Sequence, residues 1–326
     1  MTPPWDQLAE RCGLTLTAPP RPLSGGFLHR MFALETRQGR FAVKLLNPAI
    51  MRRPDALDSY RRAEALESRL EDAGLPILPA LRVKGSKLQE VDGQYFYLFD
   101  YFDGRPLLPG ELTPARTKAI GRTLAALHAV HRLPDTTRLP KPENDWPRYA
   151  ALLSPQEPAL HAQLTGALPL LTALEQRARE ALDRLPPLRA ICHGDMDCKN
   201  VLWQGDTFRI IDLECLDYGS PALEMMQLAL CWSGLETCQL DFALLDAFLD
   251  GYGAAGSLPA ADWATPYDSD ATMLEWLAYN LRRVLGIGCD PGERELGRAQ
   301  CGYALRRLRY ATEVRDAVLT HCAART

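Results

Sequence analysis

A chain of 326 residues, 47% hydrophobic and 24% charged, has the composition of a globular protein with room for about two domains, each with a core of its own. A net charge of −4 argues against a nucleic-acid partner, and no run of about 18 apolar residues suggests a membrane span. The nine cysteines are odd in number, irregularly spaced and without a Cys-x-x-Cys pair, so they read as reduced thiols of a cytoplasmic protein and speak against a zinc site. The first residues lack the basic-then-apolar order of a secretory signal.

Residues 5–12 read as a short amphipathic helix closed by Gly13. Pro19, Pro20 and Pro22 then interrupt regular structure before residues 23–35, where Gly25 and Gly26 stand between strand-like residues. Such a pair suits a tight hairpin whose backbone can approach phosphate oxygens, although paired glycines are common in hairpins of every kind. His29 or Arg30 could reach a phosphate, but an exposed loop position is the preferred reading for each. In the strand at 39–46, Lys44 lies among apolar residues, and a buried ammonium demands an anionic partner. A helix is expected at 55–73, ending at Gly74 with Pro76 beyond. It offers Glu64 and Glu67 as that partner; Glu64 is preferred because it flanks the apolar face marked by Leu66 and Leu70, with Glu67 second. Residues 77–83 and 88–91 read as two more strands, and 94–104 as a strong strand ending in a turn.

Beyond Gly104 the texture becomes helical. Residues 114–131 carry Ile120, Leu124, Leu127 and His128 at three- and four-residue spacing, and core packing accounts for His128 as well as catalysis would. Four prolines mark 133–147 as an extended linker; helical patterns follow at 159–174 and 174–185, then at 222–232, 240–249, 273–285 and 297–321. Gly251 to Gly256 spells the dinucleotide fingerprint, but it follows a helix instead of a strand and is set aside. Trp276, Tyr279, Asn280 and Arg283 share a helical face that fits an acceptor pocket or plain packing with a salt bridge. Charge is uneven: residues 204–326 hold 18 acidic against 10 basic side chains, and 206–270 hold twelve carboxylates against Arg209 alone. A solvated acidic surface is the preferred reading; a potential that attracts a cationic substrate is the sharper one.

The densest chemistry lies at 191–214. Strand-forming residues flank a polar loop carrying His193, Asp195 and Asn200, and a returning strand ends at Asp212. One carboxylate and one amide on the loop, with a second carboxylate beyond the strand, can meet at one point. Phosphoryl transfer needs that set, one carboxylate to orient and deprotonate a hydroxyl, an amide and a carboxylate to hold magnesium.

This order resembles the catalytic loop and metal-binding segment of the protein kinase-like fold. The variants His193-Gly194-Asp195 and Asp212-Leu213-Glu214 are similar to those of the aminoglycoside phosphotransferase and choline kinase-like family of small-molecule kinases. The resemblance implies an α+β, bilobal fold. Residues 1–102 would form a nucleotide-binding N-lobe, a five-stranded antiparallel sheet with one main helix; residues 103–326 would form a mainly helical C-lobe with the catalytic loop and the acceptor site. It further implies that ATP or GTP binds with magnesium, that Gly25 and Gly26 approach the phosphates, and that Asp100 and Phe102 offer backbone groups to the base. Lys44, paired with Glu64, would hold the α- and β-phosphates. Asp195 would be the catalytic base, Asn200 and Asp212 the magnesium ligands, and His193 a brace for the loop. Asp197 and Lys199 depart from the protein-kinase loop, which leaves open whether Lys199 steadies the transferred group. Glu214 supports the metal or faces the substrate. The implied activity is transfer of a γ-phosphate to a hydroxyl of a small molecule, with cationic amino alcohols, amino sugars and aminoglycosides among the acceptors; a protein Ser/Thr kinase and a regulatory pseudokinase are the alternatives. The implied partners are a nucleoside triphosphate and the acceptor, with neither nucleic acid nor membrane.

Overall fold

The computed structural model describes residues 3–23, 29–134, 139–154, 157–259, 262–288 and 291–325. The chain divides into two compact units. One holds the described residues up to Leu112, with Ala126–His131 and Ile191–Gly219; the other holds Thr113–Ala125, Arg132–Ala190 and the chain from Ser220 onward. The loop and returning strand at 191–219, expected within the helical half, thus pack with the N-terminal residues.

The first unit starts with α1 (Trp5–Arg11), β1 (Arg21–Leu23), β2 (Arg30–Thr36), β3 (Gly39–Leu45), α2 (Pro48–Met51), α3 (Ala56–Asp72), β4 (Gln89–Val91) and β5 (Gln94–Asp100). The strands form one antiparallel sheet in the order β1-β2-β3-β5-β4. Side chains alternate between its faces. Phe32, Leu34, Val43, Leu45, Phe96 and Leu98 pack with Leu8 of α1 on one face. Leu46, Tyr60 of α3, Ala80 and Tyr97 pack on the other. Lys44 pairs in register with Tyr97, so period 2 sends its ammonium to this second face. The α3 stripe of Ala56, Tyr60, Ala63, Leu66 and Leu70 recurs at the helical period and is buried.

Residues 77–83 do not form the expected strand. Pro79 cannot donate to a ladder, and the stretch makes single contacts instead. Leu81 N–H donates to Leu98 O at 2.7 Å. Leu78 N–H donates to Ile210 O, and Ile210 N–H to Pro76 O, both at 2.8 Å. Those last two bonds tie the N-terminal residues to a strand that ends two residues before Asp212.

Onward from Leu112 come α4 (Pro114–Val130), β6 (Arg132–Pro134), α5 (Trp146–Leu153), α6 (Pro158–Leu182) and β7 (Leu188–Cys192). The hairpin of β8 (Val201–Gln204) and β9 (Thr207–Ile210) precedes β10 (Asp217–Gly219). Then come α7 (Pro221–Cys231), α8 (Phe242–Gly253), α9 (Ala264–Asp268), α10 (Thr272–Leu285) and α11 (Arg294–Ala323). In the second unit Trp146, Leu153, Leu164, Leu171, Leu277, Leu281 and Leu305, among others, bury one core drawn from α5, α6, α10 and α11. The two helical patterns expected at 159–185 are one 25-residue helix, α6, with Pro169 inside it. Its buried stripe of Leu160, Leu164, Ala167, Leu171, Ala178 and Ala181 runs on both sides of the proline, and packing along it outweighs the one hydrogen bond that proline removes. The apparent dinucleotide fingerprint is a helix-packing device. A Cβ at Gly251 would stand 2.0 Å from Lys118 O, and one at Gly121 2.2 Å from Phe248 O, so α4 and α8 cross at backbone contact. Among the described residues no helix is long and apolar enough to cross a membrane.

Candidate active site

The loop after β7 is built by a buried histidine. His193 is fully buried; its Nδ1 accepts the Asp195 N–H at 3.2 Å, so its Nε2–H donates to Ile211 O at 3.0 Å. The ring therefore braces the loop against the residue before Asp212, the role expected of it. Gly194 lies in the left-handed region at φ +79°, where a side chain would be strained. The Asp197 carboxylate accepts the Lys199 N–H at 3.0 Å and caps the single helical turn Cys198–Asn200, which turns Asn200 inward. Asn200 Nδ2 donates to Asp195 O at 2.7 Å and to Asp195 Oδ2 at 2.9 Å. That commits its nitrogen and leaves the amide oxygen to face another group. Ile211 N–H donates to Asn200 O at 2.9 Å, bringing the end of β9 beside the loop. Asp212 follows at φ 66°, ψ 47°, a left-handed conformation that few non-glycine residues adopt and that is concentrated at functional sites.

Lys44 converges on the same place. Its buried ammonium donates to Asp212 Oδ1 and to Glu214 Oε2. The expected partnership with Glu64 is not made. Glu64 instead accepts the Leu88 N–H and the Tyr97 hydroxyl, both at 3.0 Å. Glu67 takes the buried Lys87 at 2.7 Å and the Ala80 N–H, also at 2.7 Å. The helix glutamates are thus engaged by neutral donors and by a lysine of their own, while two carboxylates past β9 draw Lys44. Burial opposes the Lys44 charge, but Glu214 and Asp212 together outweigh it and hold the ammonium above its usual pKa. Glu214 is also desolvated, yet hydrogen bonds from His29 and the Lys44 charge hold it down at about 2. Asp212 goes the other way: burial and the Glu214 charge push it above the usual aspartate value, against the pull of Lys44. Two carboxylates competing for one ammonium leave local negative charge in excess.

This donor set fits magnesium. The Asp212 carboxylate and the Asn200 amide oxygen are hard oxygen ligands, and a divalent cation would relieve the crowding of Asp212 with Glu214. Glu214 is engaged within the protein. It bridges Lys44 and His29, with His29 Nε2 at 3.0 Å from Oε1. His29, expected on an exposed loop, is buried, because Asn47 N–H and Glu214 both bind its ring. No motif announced that pairing. Lys199 Nζ lies 3.1 Å from Asp195 Oδ1 and 2.7 Å from Asp197 Oδ2, so it sits at the carboxylate expected to act as base. Asp100 closes β5, and Phe102 follows two residues later beside Gly104, where a Cβ would stand 2.4 Å from the Phe102 ring. Gly25 and Gly26 lie outside the described residues.

The acidic run is largely committed within the second unit. Asp268 meets Arg315 in a two-bond pair at 2.6 and 2.7 Å, and Glu236 meets Arg307 at 2.8 Å. Asp246 and Asp250 take Arg325, and Asp241 caps α8. Side chains on the face expected at Trp276 likewise bond within the second unit. Arg283 donates to Glu293 at 2.7 Å and to Asn280 at 3.3 Å, while Trp276 Nε1 donates to Gln300 at 3.1 Å.

Residues 20–267 match the model of a family described as Phosphotransferase enzyme family. The chain belongs to that family. Among relatives, the chain is 24% identical to Ethanolamine kinase 2 of Mus musculus over 205 residues, 60% of this chain and 46% of the relative. It thus spans about half the length of the curated relatives it matches. Among solved structures, a spectinomycin phosphotransferase in complex with ADP and spectinomycin superposes with a TM-score of 0.72 at 13% identity, covering 94% of this chain and 98% of that one. An amicoumacin kinase in complex with AMP-PNP and Ca2+ gives 0.64 at 13% identity, over 94% and 93%. The likeness shows the fold, the α+β kinase-like arrangement of an antiparallel five-stranded sheet and a mainly helical portion.

Proposed function

We propose that this phosphotransferase is a magnesium-dependent kinase that moves the γ-phosphate of ATP to a hydroxyl of a small molecule. The observation that carries the reading is the meeting of Lys44 with Asp212, 168 residues away in sequence. Asp212 in turn follows a strand bonded to the loop of Asp195 and Asn200. Asp195 orients the acceptor hydroxyl and takes its proton as the oxygen attacks phosphorus. Asn200 fixes that carboxylate through Nδ2 and, with Asp212, holds magnesium through its amide oxygen. The metal supplies positive charge against the phosphates. Lys44 holds the α- and β-phosphates. Lys199, at the edge of Asp195, keeps a cation beside the transferred group. Backbone groups at Asp100 and Phe102 hold the base, within a nucleotide-binding segment at 1–102, and the helical residues of 103–326 supply the acceptor pocket. The cysteines among the described residues are free, which supports a cytoplasmic setting.

Relatives named for ethanolamine and spectinomycin support an amine-bearing alcohol as acceptor. The acidic run does not add to this, because most of its carboxylates serve ion pairs and helix caps. The test is incubation with Mg-ATP and pooled amino alcohols, amino sugars and aminoglycosides, read by mass spectrometry. A phosphorylated product is expected, with turnover lowered roughly 10²- to 10⁴-fold in Asp195→Ala. Nucleotide binding without any product from a broad pool, or product undiminished by that substitution, would sink the reading.

A further inference from the structure

Lys44 is anchored through a chain of contacts that reaches beyond the residues of the transfer site. Glu214 uses one oxygen for Lys44 and the other for His29. The His29 ring is itself fixed: Nδ1 accepts the Asn47 N–H at 3.0 Å, which places the hydrogen on Nε2, the nitrogen facing Glu214. Asn47 is held in turn as the cap of α2, its side chain accepting the Ala49 N–H at 2.9 Å. The Tyr60 hydroxyl lies 3.4 Å from the same Nε2, a weaker neighbour than the Glu214 oxygen. A carboxylate held on both oxygens cannot rotate away, and a buried lysine that meets such a carboxylate keeps one rotamer. Glu64 does not do this for Lys44, because its bonds go to Leu88 and Tyr97.

We propose that His29 is a positioning residue: by donating Nε2–H to Glu214 it fixes the carboxylate that aims Lys44 at nucleotide phosphates. The inference rests on the reading of Lys44 as a phosphate ligand. It assigns to a histidine after β1, acting through Glu214, the anchoring expected of the helix glutamate. What the site requires of position 29 is a neutral donor at the reach of Nε2. Glutamine supplies one; leucine fills similar space without it.

The experiment is calorimetric titration of the whole chain with Mg-AMP-PNP and, separately, with adenosine, which has no phosphates. Lys44→Ala is expected to weaken AMP-PNP at least tenfold, and His29→Leu about 5- to 10-fold, the worth of a hydrogen bond to a charged group. His29→Gln is expected to stay within about twofold of the unaltered protein, and adenosine affinity to hold in all three. Loss of both ligands together would mark general damage to the fold and overturn the assignment. AMP-PNP affinity unchanged in His29→Leu, or lowered equally in His29→Gln, would overturn it while leaving the role of Lys44 intact. No loss in Lys44→Ala would remove the reading on which it stands. Should His29→Leu not fold, His29→Ser, which has no donor at that reach, takes its place with the same expectation and the same refutation.

Discussion

Buried charge is handled differently in the two units. In the helical unit the buried guanidiniums of Arg307 and Arg283 each meet a partly exposed carboxylate, Glu236 and Glu293, while Arg315 meets Asp268 and the exposed Asp316. The two carboxylates that share Arg325, Asp246 and Asp250, are open to water. In the first unit Asp212 and Glu214 press on a single lysine, and Glu214 has the His29 imidazole as a further donor. Sharing a lysine is not sufficient for a site. Lys87 also meets two carboxylates, but Glu71 keeps 49% of its side chain in water and Glu67 takes a backbone N–H as well. What distinguishes Asp212 is crowding with a second desolvated carboxylate, Glu214, on an ammonium that both share. Matched charges hold helices together; a mismatch is what a divalent cation can correct.

The comparison is broken most directly by substituting its matched partners. Asp268→Asn removes the charge of the two-bond partner of Arg315, a guanidinium only 22% exposed, and leaves it the exposed Asp316 at 2.9 Å. It should cost about 3 kcal/mol, read as a fall in the denaturant midpoint at unchanged slope, and should leave nucleotide affinity untouched. A variant as stable as the parent would mean that the helical pairs are as dispensable as surface ion pairs. Next in size is Gly251→Ala, expected to cost about 1–3 kcal/mol because its methyl group meets the Lys118 carbonyl across a helix crossing. A neutral Gly251→Ala would show that the crossing relaxes freely.

Much of the candidate site was legible because it is local in sequence. The spacing of His193, Asp195, Asn200 and Asp212 rides on two short strands and a turn, and backbone bonds then set the geometry with little help from elsewhere. The sheet and α3 were legible through their periods of 2 and about 3.6. The anchoring of Lys44 was not. Its choice among Glu64, Glu67 and Glu214 depends on which carboxylates have already been claimed, and the Lys87 and Tyr97 claims come from residues 20 and 33 positions away. His29 was misread for a related reason: nothing near it in sequence shows that the Asn47 N–H and Glu214 enclose it. Likewise the strand pattern of its apolar neighbours hides the break at Pro79, and the helix break expected at 174 is absent because the buried stripe that runs through it is a tertiary fact. The glycines at 251–256 matched a motif whose purpose is backbone approach. They do serve backbone approach, but to another helix.

The smallest expected effect is the sharpest, because its sign differs from that of Asp268→Asn. Asp212 has its pKa raised on folding, so the native state binds its proton more tightly and its charge subtracts from stability as pH rises above the ordinary aspartate range. Glu214, held at about 2, contributes stability that is complete above its unfolded value of 4.5 and is lost as pH falls toward 2. Asp212→Asn removes the opposing charge while Glu214 keeps Lys44. Metal-free stability near neutral pH should therefore rise or hold, by less than about 1 kcal/mol, while the acid loss between 4.5 and 2 persists. The same variant should bind AMP-PNP equally with and without magnesium, where the parent binds more tightly with it. A destabilised Asp212→Asn that still responds to magnesium would make Asp212 one more matched charge, held for structure, and would move the metal site elsewhere. A stable variant deaf to magnesium fits only a carboxylate kept in excess for a cation.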